Sequence, residues 1–85
     1  MALTVITCDL NRPGQSYPHL WDALEKAGAK RILEFTWALK NVSGAEALRS
    51  MRDDLMTLID KNDRLLIAEV GAWSAFNMMM DLNRL

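Results

Sequence analysis

Asp9 is the residue of this chain best placed to do chemistry, because it follows the run Leu3-Thr4-Val5-Ile6-Thr7-Cys8 and precedes the turn-forming Asn11-Arg12-Pro13-Gly14. A carboxylate at the C-terminal mouth of a strand is held on a rigid element and faces a loop, where chemistry is commonly placed. The plainer reading of Asp9 is a solvent-facing carboxylate that bonds the amides of that turn. Four cations, Arg12, Lys30, Arg31 and Lys40, can bind phosphate if the fold gathers them on one side; otherwise they are solvated. His19 has no histidine, cysteine or carboxylate at metal-ligand spacing and reads as a surface residue. Cys8, the single cysteine, lies among apolar neighbours and reads as a small buried side chain. It can form no intramolecular disulfide and no cysteine-based zinc site. No glycine-rich phosphate loop, nucleophile elbow or paired metal-binding histidines occur, so hydride transfer and cofactor-bound acyl chemistry have no support.

The elements that must position these residues follow from length and pattern. With 85 residues the chain is one domain, 1–85, and a domain of this size buries a modest core. Hydrophobic residues at 51% make it globular, and association that covers leftover apolar surface is expected. A net charge of -1 supplies no overall positive field, so any contact with nucleic acid must be local. No apolar run approaches the length of a membrane span and no basic segment precedes one, so a soluble, cytoplasmic protein with no membrane partner is expected.

Residues Leu3 to Cys8 are β-branched and apolar enough to predict a central strand covered on both faces. Ser16 caps a helix to about Ala27, with Pro18 tolerated in its first turn and Tyr17, Leu20, Trp21, Leu24 and Ala27 as one stripe. Gly28 ends it as a left-handed cap. Residues Ala29 to Asn41 read as two strands joined by a tight turn near Phe35 and Thr36, or as one bent strand. Ser43-Gly44-Ala45-Glu46 matches a capping box and opens a helix to about Ile59. A polar turn, Asp60 to Asp63, leads to a strand from Arg64 to Val70. Beyond it, a C-terminal extension of about 73–85 suits a short helix capped by Ser74, with an edge strand as the alternative. Trp21 and Trp37 read as core, whereas Trp73, Phe76 and Met78-Met79-Met80 must lie against the domain itself or another subunit.

This order predicts an α+β fold, a ferredoxin-like βαββαβ sandwich with an antiparallel sheet and a short C-terminal helix or strand. Two right-handed crossovers put both helices on one face, with the first and third strands central and a core of about 3–70. The other face is left for the C-terminal segment or a second copy to cover.

Val5-Ile6-Thr7-Cys8-Asp9-Leu10 resembles the strand-plus-aspartate opening of the CRISPR-associated protein 2 and virulence-associated protein D superfamily of small ferredoxin-like proteins. Gly28 followed by Arg31-Ile32-Leu33-Glu34-Phe35-Thr36-Trp37 looks like that superfamily's glycine, arginine and aromatic-ended strand. Asp60 to Val70 is similar to its acidic turn and last strand. Leu33 stands where the CRISPR proteins often carry glutamine and Phe35 where they carry a small hydroxyl residue, and one extra residue lies between Gly28 and Arg31. These departures point to a divergent branch outside CRISPR adaptation.

The resemblance implies a homodimer in which Asp9 from each of two subunits holds Mg2+ or another divalent metal. It implies metal-dependent endonuclease activity on RNA or DNA, with Asp9 both catalytic and metal-binding. Arg12, Lys30, Arg31 and Lys40 are the candidate nucleic-acid contacts. The alternative is a noncatalytic ferredoxin-like dimer that binds or scaffolds. An unrelated ferredoxin-like regulatory or ligand-binding module is a third reading.

Overall fold

In the computed structural model, residues 3–10, 17–40 and 42–82 are described. The expected turn at Asn11 to Gly14, the Ser16 cap and Arg12 fall outside them. The elements run β1 (Leu3–Asp9), α1 (Pro18–Lys26), β2 (Lys30–Leu33), β3 (Thr36–Leu39), α2 (Ala45–Met56) and β4 (Arg64–Val70). The strands form one antiparallel sheet in the order β2-β3-β1-β4. This is a small α+β architecture compatible with a ferredoxin-like fold.

Alternation along β1 divides the molecule into two layers. Ile6 and Cys8 point to the helices and join Leu20, Leu24, Trp37, Leu39 and Leu55 in the main core. Leu3 lies in a second, smaller core on the opposite face with Ile32, Ala38 and Leu82, against which Val5 and Val70 pack. The odd-numbered positions of β1, Asp9 included, therefore belong to the face away from the helices.

Local chemistry explains most boundaries. Gly28 at φ +87° ends α1, its amide reaching Glu25 O and that of Ala29 reaching Leu24 O, each at 3.0 Å. Residues 30–39 form two strands, not one bent strand, and the reversal is made without glycine or asparagine. Arg31 Nε instead donates to the Glu34 carbonyl at 2.8 Å, and a register shift between Arg31 and Leu33 absorbs the extra residue.

Two expectations are corrected. The Ser43 hydroxyl does not cap α2 in the expected box with Glu46. Gly44 is the N-cap, with φ +91°, and the Ser43 hydroxyl turns away to donate to the Glu69 carboxylate at 3.1 and 3.2 Å. Glu69 also accepts the Gly44 amide at 2.8 Å, so a residue of β4 serves the helix start. Among the described residues the segment after β4 forms neither the short helix capped by Ser74 nor an edge strand: it is irregular chain to Asp81, with Leu82 in a 3-10 turn. Asn77 takes a positive φ of 56°, which interrupts a helical run, and the Met79 amide bonds Ile32 O at 3.0 Å. Leu82, Met78 and Met80 pack on the smaller core, so this segment covers part of the otherwise open sheet face. No helix of the described residues is long and apolar enough to cross a membrane.

Candidate functional site

The last residue of β1 and the first of β4 meet at one end of the sheet. Asp9 and Arg64 are Cα partners in the antiparallel register, and Arg64 Nη1 lies 3.4 Å from Asp9 Oδ2. The two side chains are 68% and 83% exposed, so the carboxylate stands in solvent with a guanidinium beside it. At that separation the contact is a loose ion pair, longer than the 2.7–2.9 Å or so of a well-formed charge-assisted hydrogen bond.

Behind Asp9 on the same face, Thr7 of β1 and Thr36 of β3 are also Cα partners, with hydroxyls 3.0 Å apart. Leu66 of β4 lies opposite Thr7 and is 60% exposed. The mouth of the central strand therefore carries a carboxylate, a guanidinium and two hydroxyls above an apolar side chain. On the other face Cys8 is buried, and burial, with the negative charge of Asp63 adding to it, pushes the thiol from its usual 9.0 up to about 11. That thiol is inert at neutral pH. Asp63 ties the turn before Arg64 in place: it accepts the Asp60 amide at 2.8 Å and, at 3.4 Å, the Tyr17 hydroxyl.

Of the cations named from the sequence, Lys30, Arg31 and Lys40 are not brought to Asp9. Lys30 lies opposite Ala38, itself opposite Val5, two strands across and four residues back from Asp9, a separation of roughly 16 Å by strand geometry. Lys40 follows Leu39, which pairs with Thr4, and so sits at the far end of the sheet. Arg31 is engaged with the Glu34 carbonyl, and its guanidinium carbon lies 5.5 Å from the Trp37 ring centroid. Arg12 is outside the described residues. His19 is exposed on the first turn of α1.

Arg64 is the neighbour that reading the sequence missed, because only the pairing of β1 with β4 sets it beside Asp9. The two strands are each seven residues long, so a flush antiparallel pairing sets the last residue of one against the first of the other. Among the described residues there is no group of three or more histidine, cysteine, aspartate or glutamate side chains able to hold a metal. The donors at this site are all oxygens, which suits a hard dication, but one chain contributes a single carboxylate. The residues fit such an ion only when two copies bring two carboxylates together.

A separate cleft of about 380 Å³ opens between the helices, lined by Ala23, Ala27, Val42, Met51, Asp54 and Leu55 among others. Apart from Asp54 and Ser50 its walls are apolar, and it lies on the helix side of the molecule.

Compared with protein-family models, with curated proteins and with solved structures, the chain finds no match.

Proposed function

We propose that this chain is a ferredoxin-like subunit of the kind found in the CRISPR-associated protein 2 and virulence-associated protein D superfamily, working as a homodimer that cuts RNA or DNA. The observation that carries this reading is the exposed carboxylate of Asp9, 68% accessible at the end of a central strand and on the face away from both helices. Two copies can approach through that face with no helix between their aspartates. Exposed Leu66, Trp73, Phe76 and Met79 supply apolar surface for such an association.

In the dimer the two Asp9 carboxylates would hold a divalent cation such as Mg2+, which when bound would offset phosphate charge and make water more acidic. The strand holds each carboxylate in place, and the Thr7 and Thr36 hydroxyls stand on the same face behind it. Dimerisation is a condition of activity, because neither chain has enough ligands alone.

A second reading, a noncatalytic binding scaffold with the same fold, is favoured by the Asp9–Arg64 ion pair, which already gives the carboxylate a cationic partner. Incubating purified protein with RNA and with DNA, with and without magnesium, separates the two. Magnesium-dependent cutting that Asp9→Ala lacks supports the enzyme; equal background in both proteins leaves the scaffold. A sedimentation measurement showing only monomer removes the proposed metal site.

A further inference from the structure

The two outer strands of the sheet are finished differently. β2 has four residues, carries Lys30 and Arg31, and shifts register between Arg31 and Leu33. The Met79 amide takes its Ile32 carbonyl at 3.0 Å. Short length, charge, a bulge and a covering segment are devices that keep an edge strand from pairing with another chain. β4 is the opposite case. It has seven residues, matches β1 residue for residue without a bulge, and has neither charge nor proline in Leu65-Leu66-Ile67-Ala68. Among the described residues it pairs with β1 alone, so the backbone N–H and C=O groups along its other side face outward.

Beside that edge lies a cleft of about 320 Å³, whose other wall is one stripe of α2: Ala45, Leu48, Arg49 and Arg52, three or four residues apart. Leu65 and Ile67, on the helix side of β4, give it an apolar part with Leu48. The charged side chains lining it are both arginines, and both are exposed. Arg52 meets Asp53 at 2.9 Å, whereas Arg49 has no ion pair among the described residues. Glu69, further along β4, gives its carboxylate to Gly44 and Ser43.

We infer that the outer edge of β4 is a docking site for an extended acidic peptide, which adds as a further strand and sets its carboxylates against Arg49 and Arg52. The strand backbone supplies the pairing, and the arginines supply the choice of sequence. A second copy of the chain suits this edge less well. Two β4 strands joined antiparallel about a twofold axis put both α2 helices on one face of the joined sheet, so that arginines oppose arginines. RNA meets the arginines but adds no strand, and no aromatic side chain lines the cleft for its bases to stack on. The inference is independent of Asp9 and of the nuclease reading.

The probe is a fluorescein-labelled peptide of alternating glutamate and valine, as long as β4, whose binding to the whole protein is followed by anisotropy. It should bind about tenfold more tightly than the same peptide with lysine for glutamate. Arg49→Gln should weaken it about two- to fivefold, and Arg49→Glu/Arg52→Glu about tenfold or more, with circular dichroism confirming that each variant is folded. Two further peptides, N-methylated at every glutamate or at every valine, test the backbone on the wild-type protein. At least one of them lacks the N–H groups that face β4 and should fall to background. Equal binding of acidic and basic peptides, indifference to the double arginine variant, or full binding of both N-methylated peptides overturns the inference. So does an absence of binding up to about 1 mM, whether sedimentation then shows a dimer occupying the edge or a single-stranded RNA binds through the same arginines instead.

Discussion

The carboxylate of Glu69, on β4, accepts the backbone amide of Gly44 at 2.8 Å and so closes the start of a helix that lies earlier in the chain. The same carboxylate takes the Ser43 hydroxyl. Replacing Glu69 with alanine leaves that amide without its acceptor, and loss of a helix-start cap costs about 1 kcal/mol. Urea denaturation of Glu69→Ala should show a lower midpoint with an unchanged slope, whereas Glu46→Ala, at the expected but unused capping position, should be nearly silent.

Trp21 and Trp37 tie α1 to the sheet, their rings stacked with centroids 4.9 Å apart and planes at 26°. Trp37 is buried, and Tyr17 meets Trp21 edge-on at 6.1 Å, so three aromatic rings share one layer. Trp37→Ala should cost about 3–5 kcal/mol from lost burial and the cavity it leaves. In a domain this small that is most of the stability, and a denaturation curve with little or no folded baseline is the expected result.

Alkaline pH should weaken the fold through Cys8. Its thiol ionises at about 11 in the folded chain against 9.0 ordinarily, so the folded state holds the proton that the unfolded state releases. The contribution is whole below pH 9.0 and is lost as pH rises through about 11. Its size is on the order of 2 kcal/mol. Thermal melts between neutral pH and that range, compared with Cys8→Val, should show a steeper decline in the wild type, and the folded thiol should resist alkylation at neutral pH.

The segment beyond β4 contains residues that should behave differently on truncation. Leu82 is 7% exposed and packs with Leu3, Ile32 and Ala38, whereas Phe76 is 87% exposed. Leu82→Ala should cost about 2–5 kcal/mol. Phe76→Ser should change monomer stability by less than about 0.5 kcal/mol. If the sheet face carries the homodimer, Phe76→Ser should weaken self-association measured by sedimentation equilibrium.

Where hydrophobic period and turn chemistry agreed, the fold was legible: β4 begins at Arg64 and ends at Val70 as the sequence indicates, and Gly28 ends α1 with a positive φ. Legibility failed where a distant residue decided the outcome. Ser43 and Glu46 have the right spacing for a capping box, yet Glu69 reaches the helix start from β4 and takes the bonds. The spacing of Phe76, Met79 and Leu82 suits a helix, but the contact of Met79 with Ile32 and the packing of Leu82 on the sheet hold the chain in another shape. At the site, Asp9 could be picked out because its strand is strongly marked. Arg64 could not be joined to it by local pattern, and Lys30, Arg31 and Lys40 were spread along the sheet by the register of β2 and β3.

The position of β1 in the sheet also sets the order of events during synthesis. Asp9 and Arg64 lie 55 positions apart in sequence, so β1 leaves the ribosome long before the strand that completes one of its sides. Until then an apolar ribbon has an open edge towards the solvent, inviting pairing with other nascent chains. Translation paused between α2 and β4 should therefore yield a nascent chain that chaperones bind and proteases cut, and release of the last strand should end both.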